Sequence, residues 1–468
     1  MKKIVTLSTI AFLSTSVFAN ADMQAQIDEL TKKIEKLEKT QKKQTKKISK
    51  VNKLANKDNI KWDIDFRTAY DNIQYKTVNG NKYSNDALYS NRLWLGMGYA
   101  PVSTMLFKGQ LGFNKAFGAD YNQGRGSGFD KFDWVVNENL TDDTIKLREA
   151  YWLWTPTVGG LQTTLSIGRR PATNGYLINL RDDDNAKSPM GHIINMEFDG
   201  FSGSIKLDKY ISGSYVKLCL GRGHTNSIAR FGTTTGADYS KETTALDNMD
   251  MVGVIVKPYD DGQYSVMTKY YRAFNVLGYE NVTPPASPVN LKSFGEMDGA
   301  AISAKVEGIG DEINDFLDET IIFASFAWTQ TRPKSDAAAD AMLGSNDKES
   351  GTSYWIGTQI PNLTGGKFGL EYNHGSKYWR PFTYGEDTMI GSKMAVRGSA
   401  YEAYWTQPII DRVFSMQIRY TYLDYDYTGS NGFFGMGGTP ISMADAKNLG
   451  QDPIETASDL RIYFRYRY

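Results

Sequence analysis

Arginine and lysine residues occupy alternate positions in several segments of this chain, and this spacing limits the chemistry that they could do. In an extended backbone, alternate side chains share one face. A row of positive charges along such a face attracts anions and orients polar solutes, without making or breaking bonds. Eight residues fall in this phase and form a predicted basic arc on one wall of a polar interior: Arg67, Arg92, Lys108, Lys146, Arg148, Arg170, Arg461 and Arg465.

An acidic run lies in the segment 171–192, between two of the alternating stretches. Its charged residues are Arg181, Asp182, Asp183, Asp184 and Lys187. Adjacent carboxylates can hold a calcium ion, but their spacing here matches no defined calcium-binding loop. A solvated acidic loop also needs no ligand to be stable in water. We therefore predict neither a metal site nor a cofactor.

The elements that carry these charges are predicted to be β-strands. From Lys61 onward, apolar residues recur with a period of two, which favours half-apolar strands over amphipathic helices. The links between strands alternate between short and long, and the first long link is predicted at 73–87. One of the strands is predicted near 193–207. Such sorting is typical of a transmembrane barrel, because a soluble sandwich has no reason to sort its loops. The acidic link 307–319 is an exception on the short side, and it indicates either a brief helix or an error in the strand count at that point.

This pattern predicts an all-β transmembrane barrel over residues 58–468. The number of antiparallel strands is about 16, within a range of roughly 14 to 18. Glu149 does not fit this pattern. It shares the phase of Leu147 and Tyr151, so its side chain would face lipid or a neighbouring subunit. A charge there costs a few kcal/mol. Either a β-bulge shifts the register, or Glu149 lies at a contact between subunits.

Both ends of the chain indicate export to a membrane. Lys2 and Lys3 precede an apolar run and a small-residue cleavage pattern, which predict a secretory signal peptide over residues 1–21. In the segment 459–468, arginines share one face and apolar residues the other, as in a closing strand. Its aromatic residues are the predicted membrane assembly signal: Phe464, Tyr466 and Tyr468.

Residues 22–57 follow a different period. Ile27 and Ile34 fall at one heptad position and Leu30 and Leu37 at another, which predicts a lysine-rich coiled-coil helix. With an even number of strands, this coil would lie in the periplasm. A single solvated helix is the alternative. Export argues against nucleic acid as a partner of the lysines.

Three short motifs carry a resemblance to a known class of protein. They are Lys61-Trp62-Asp63-Ile64-Asp65-Phe66-Arg67, Gly168-Arg169-Arg170-Pro171, and Ser188-Pro189-Met190-Gly191-His192 running on to Glu197-Phe198-Asp199-Gly200. With them the chain resembles bacterial porins, and in particular a porin-like barrel family whose function is not known. The resemblance implies an outer-membrane location, contact with lipid and a homotrimer. It also implies that the acidic run is a constriction loop, because the third outer loop of general porins folds into the barrel.

The predicted function is therefore diffusion of small hydrophilic solutes, with a preference for anions that the basic arc would set. An alternative is an envelope tether, in which the coiled coil contacts the cell wall and the barrel is only an anchor. An outer-membrane enzyme is a weaker alternative. His192, His224 and His374 lie far apart in sequence, and no Gly-x-Ser-x-Gly motif stands between a strand and a helix. We predict that the chain is not an enzyme.

Overall fold

The computed structural model describes most of the chain from residue 60 onward. The described residues are 60–118, 140, 144–170, 173–227, 236–241, 246–279, 291–310, 313–334, 343–383, 389–430 and 439–468. The predicted signal peptide and coiled coil lie outside these ranges.

Sixteen antiparallel strands close into one barrel within the described residues, as predicted. Each strand pairs with its neighbours along the chain. The strands are β1 (Lys61–Thr77), β2 (Lys82–Val102), β3 (Met105–Ala116), β4 (Lys146–Trp154), β5 (Leu161–Arg170), β6 (Phe198–Lys206), β7 (Tyr215–His224), β8 (Met249–Asp260), β9 (Tyr264–Tyr279), β10 (Leu291–Glu307), β11 (Ile321–Pro333), β12 (Ser350–Pro361), β13 (Lys367–Gly375), β14 (Gly398–Ile410), β15 (Phe414–Tyr425) and β16 (Ile454–Arg467).

The first and last strands close the barrel. Strand β1 pairs with β2 on one side and with β16 on the other, where Asp65 lies opposite Arg467. Two backbone hydrogen bonds between Ile64 and Tyr468, with N···O distances of 3.0 and 2.9 Å, carry this pairing to the last residue. Both edges of the sheet are therefore paired, and no edge is offered to another chain.

The period-two pattern sorts side chains between the outer face of the barrel and its lumen. On β1, Trp62, Ile64 and Phe66 are exposed on the outer face, whereas Asp65 and Arg67 are buried in the lumen. A row of tyrosines crosses neighbouring strands β12 to β15 in ring contact: Tyr354, Tyr372, Tyr401 and Tyr422. Exposed apolar residues with rows of aromatics are the outer surface that a bilayer requires.

The connections follow the predicted parity except at the first one. Strands β1 and β2 extend into a hairpin whose turn is only 78–81, so the predicted long link at 73–87 is wrong. Asp452 of the last long loop holds this turn, and hydrogen bonds from Thr77 and Asn81 lower the pKa of its carboxyl. The end of β1 and the start of β2 are rich in polar residues and still pair with each other across the hairpin. The polar composition resembles that of a loop, and it did not reveal this pairing.

A few short elements interrupt the loops. They are the helices α1 (Ile178–Arg181), α2 (Asp315–Asp318) and α3 (Met443–Asn448), a 3₁₀ turn at Lys393–Ala395, and short strands at Thr157–Val158, Gly175–Tyr176 and Lys187–Met190. Helix α2 lies in the link after β10, where a brief helix was expected. No helix in the described ranges is long and apolar enough to cross a membrane.

Two of the long loops enter the barrel. The described parts of the third loop, 173–197, and of the seventh loop, 376–383 and 389–397, pack against each other, and Phe382 and Ile194 form a parallel bridge between them. Residues 193–197 belong to this loop and not to β6, so the predicted start of that strand at 193 is wrong. Both loops pack with apolar side chains of β8 to β12, and this side of the lumen is filled like the core of a soluble protein.

Candidate functional site in the barrel lumen

The third loop is held across the lumen by strands on its far side. The amide of Gln359 on β12 donates to the backbone oxygen of Leu180, N···O 3.0 Å. The amide of Gln417 on β15 donates to the backbone oxygen of Arg181, N···O 2.7 Å. The guanidinium of Arg181 also lies 3.4 Å from Glu402 on β14. Helix α1, which is too short to be stable alone, is positioned by these contacts.

The acidic run continues from α1 toward the closing strand. Asp184 accepts hydrogen bonds from Arg465 at 3.1 Å and from Arg467 at 3.0 Å. The backbone oxygen of Asp182 accepts from Arg465 at 2.9 Å. Asp183 pairs with Lys367 on β13, N···O 2.7 Å, and its backbone oxygen accepts from Arg467 at 3.2 Å. The run therefore meets the wall of β13 to β16 directly, through charge-assisted hydrogen bonds.

Lys187 ties the end of the run to the opposite wall. Its ammonium group donates to Glu149 on β4. A β-bulge at Arg148 puts both Arg148 and Glu149 on the lumen side, because the pairing with β3 shifts by one residue there. The bulge thus explains why Glu149 faces the lumen and not lipid. Tyr151, two residues further along the strand, is likewise buried on the lumen side and does not face outward as predicted.

The residues of the basic arc all face the lumen, but most of them are covered. The side chains of Arg67, Arg92, Arg148, Arg461 and Arg465 are at most 4% exposed. Lys108 is exposed, and Lys146 and Arg170 are half-buried. These three are therefore the most accessible members of the arc.

Carboxylates that were not among the predicted site residues neutralise the arc. Asp65 pairs with Arg92 at 3.4 Å and also with Arg465. Glu197 accepts from Arg148 at 2.9 Å, and Asp71 accepts from Arg461. The period-two pattern could have revealed that Asp65 and Asp71 face the lumen, since both stand in the same phase as Arg67. The arc is therefore a network of alternating charges and not a purely basic surface.

Aromatic rings complete the arc. The ring of Trp94 lies between two guanidinium groups, 3.5 Å from that of Arg92 and 3.8 Å from that of Arg148. Arg67 lies over the ring of Tyr463 at 5.1 Å. Such stacking is typical of arginine and weak for lysine, so it fixes each guanidinium plane.

A vestibule opens between the acidic run and β16 to β5, at the end of the barrel with the short turns. It encloses about 2260 Å³, including the part open to solvent. The acidic side chains that line its described walls are Asp63, Asp65, Glu149, Asp183, Asp184 and Glu307. The basic ones are Lys108, Arg170, Lys187, Arg412, Arg465 and Arg467. Six side chains of each sign line the vestibule, so these side chains carry little net charge together.

His192 lies in the third loop and is buried. Its Nδ1 atom is 2.7 Å from the hydroxyl of Ser325, and its Nε2 atom is 2.9 Å from that of Ser353. A histidine beside two serines has the elements of a nucleophile pair. All three side chains are at most 5% exposed, so no substrate reaches them, and the contacts serve to anchor the loop to β11 and β12.

Comparisons with solved structures show a likeness in fold alone. The anion-selective porin of Comamonas acidovorans is 10% identical, with a TM-score of 0.47 over 88% of this chain and 99% of that one. OprB of Pseudomonas putida is 12% identical, with a TM-score of 0.46 over 87% and 94%. OmpF of Salmonella typhi, in complex with daunomycin, is 11% identical, with a TM-score of 0.45 over 87% and 97%.

No curated protein matches the chain. A family described as a protein of unknown function, DUF3373, matches residues 82–468, which begin at β2 and run through the vestibule wall to the closing strand. This span contains the third loop, its partners on β12 to β16, and the bulge on β4. The chain belongs to the DUF3373 family.

Proposed function

We propose that this protein is an outer-membrane porin for small hydrophilic solutes. The outer face of its barrel is apolar and carries rows of aromatics, which suits a bilayer, while the lumen carries paired charges. The observation that carries the proposal is the third loop, which crosses the lumen and leaves a charged vestibule on one side. A loop that narrows a barrel and leaves a charged cavity beside it is the form expected of a diffusion channel.

The packing limits what would pass. Because the loops fill the side of β8 to β12, the path of a solute is restricted to the side of the vestibule. The six acidic and six basic residues that line it would orient polar solutes and exclude apolar ones. They would not strongly prefer one sign of charge. We therefore expect weaker anion selectivity than a purely basic arc would produce.

Single-channel recording in planar bilayers tests the proposal. The purified protein should produce small, discrete conductance steps in potassium chloride, and the reversal potential in a salt gradient should lie near zero. Protein that migrates as a folded, heat-modifiable barrel but passes no ions would refute the porin function. That outcome would favour the envelope tether, in which residues 22–57 contact the cell wall.

The signal peptide, the coiled coil and the homotrimer remain predictions. Native mass spectrometry of the protein in detergent would count its subunits directly. A monomer that conducts would leave the porin proposal intact and remove only the trimer.

A further inference from the structure

Two side chains of opposite charge are exposed on the wall of the vestibule. Asp63 on β1 and Lys108 on β3 face the lumen, line the vestibule and are accessible to solvent. Most other charged side chains of this wall are already bound to one another, as Lys187 is to Glu149. The charges of Asp63 and Lys108 are therefore open to a solute that enters the vestibule.

A glycine on the strand between them determines where the Asp63 carboxylate lies. Gly96 on β2 is the ladder partner of Asp63. A Cβ atom at Gly96 would overlap the carboxylate oxygens of Asp63, so the carboxylate lies over the backbone of β2. Strand β2 separates β1 from β3 in the sheet. The carboxylate of Asp63 therefore leans toward the strand that carries Lys108.

Asp63 and Lys108 attract each other without forming an ion pair. The charge of Lys108 acts on Asp63 and also on Glu149, so its ammonium group lies within electrostatic range of both carboxylates. Within the described part of the chain, the side chains of Asp63 and Lys108 have no hydrogen bond and no ion pair. Two exposed charges gain little by closing on each other, because each keeps its water. They flank a gap that a small solute can enter.

We propose that this gap binds zwitterionic solutes, of which small α-amino acids are the simplest, as they pass through the barrel. The ammonium group of the solute would contact Asp63, and its carboxylate would contact Lys108, through two charge-assisted hydrogen bonds. The inference rests on the porin function proposed above, and it adds the class of solute that the channel favours.

The same two side chains do not favour simple ions or neutral solutes. A cation that is attracted by Asp63 is repelled by Lys108, and an anion meets the reverse, so the two effects nearly cancel. An uncharged solute gains neither contact. A zwitterion gains both at once, because its dipole aligns with the field between the two side chains. Weak contacts of this kind suit a channel, since the solute must also leave.

Tracer uptake into liposomes that contain the full mature protein tests the proposal with four solutes of nearly equal size. They are alanine, a zwitterion; lactamide, which is neutral; lactate, an anion; and alaninamide, which is a cation at about pH 6. After subtraction of the uptake by protein-free liposomes, alanine should enter at least about threefold faster than each of the others. Equal rates for alanine and lactamide would overturn the proposal, as would faster entry of either ion.

Two substitutions separate the roles of the two side chains. Asp63→Asn should lower the rate of alanine to that of lactamide and raise that of lactate, because only the positive charge remains. Lys108→Gln should lower the rate of alanine equally and raise that of alaninamide. Opposite effects on the two ions, with the same loss for alanine, identify a site that binds both ends of the solute. A change of all four rates in one direction would indicate an altered pore width and contradict the proposal.

Asp208→Asn and Lys209→Gln are the matched controls. Both residues are exposed in the turn between β6 and β7, at the same end of the barrel, and neither is among the described residues that line the vestibule. These variants should keep all four wild-type rates. Loss of the alanine preference in a control variant would mean that the preference comes from the surface charge of this end of the barrel and not from the gap.

Failure of this inference is distinguishable from failure of the porin function. If lactamide and ions pass but alanine has no advantage, the barrel is a porin without this site. If no solute enters and single-channel recordings are also silent, the porin function fails, and the preference fails with it. Because the wild-type comparison needs no substitution, a variant that fails to fold does not affect the conclusion.

Discussion

The ion pair between Arg148 and Glu197 shows how single residues determine the form of this lumen. Both side chains are inaccessible to solvent, and the guanidinium group also donates to Gln110 at 2.6 Å and to Thr173 at 3.0 Å. Arg148 belongs to the barrel wall, while Thr173 and Glu197 stand at the two ends of the third loop. One guanidinium group therefore holds both ends of the loop against the wall.

Removing this arginine should destabilise the protein strongly. In Arg148→Met, the buried carboxylate of Glu197 loses this ion pair, and we expect a loss of roughly 3–5 kcal/mol in the free energy of unfolding. The double variant with Glu197→Gln should recover part of this loss, because no uncompensated charge remains. Urea titration followed by tryptophan fluorescence measures both values.

An exposed pair serves as the control for that experiment. The side chains of Arg222 and Asp250 are 44% and 41% exposed, so Arg222→Met should cost less than about 1 kcal/mol. A similar small cost for Arg148→Met would mean that Glu197 finds another partner or takes up a proton.

At the scale of elements, the two inward loops support each other. Phe382 is fully buried between them, and its backbone donates to Ile193 at 2.9 Å and accepts from Asn195 at 2.7 Å. The ring of Phe382 also contacts that of Tyr271 on β9. Neither loop has enough regular structure to hold its own position, so the position of each depends on the other.

Truncating this side chain should loosen the loops without opening the barrel. A buried Phe→Ala change lowers stability by about 3–5 kcal/mol. Here we expect the loss to weaken the docking of the two loops and to leave the pairing of the strands intact. If the porin function is right, Phe382→Ala should raise the single-channel conductance or make it fluctuate, while heat-modifiable migration is unchanged. Phe316→Ala, on the exposed helix α2, should change neither. Identical recordings from both variants would show that loop packing does not set the width of the path.

At the scale of the whole molecule, closure makes the first and last strands partners. The pairing of β1 with β16 joins residues about as far apart in sequence as the barrel allows, and Tyr468 contributes to it through its backbone. Closure also assembles the vestibule, since the barrel wall that faces the acidic run is formed by β1 to β5 together with β16. The vestibule therefore exists only in the closed barrel.

Deleting residues 464–468 should prevent closure. The deletion removes the partners of 65–68 on β1 and leaves an open edge, so most of the heat-modifiable form should be lost on semi-native gels. Tyr468→Phe keeps the backbone and the ring and should fold normally. Normal migration of the deletion variant would show that closure does not require the end of β16.

Some of this architecture was predictable because it depends on local pattern. The strand number and the inner face of β1 and β16 follow from period-two alternation, which needs only neighbouring residues. The bulge at Arg148 was predictable only as one of two options. Glu149 breaks the alternating pattern, but the pattern does not tell a bulge from a contact between subunits. The partners Asp65, Asp71 and Glu197 were missed, because alternation assigns a face and not a contact.

The sequence by itself determined that this protein is a barrel with charges inside and apolar residues outside, since each strand sorts its own side chains. The tertiary structure alone decided which charges meet. Asp184 and Arg465 are 281 residues apart, and their contact depends on closure and on the docking of the third loop.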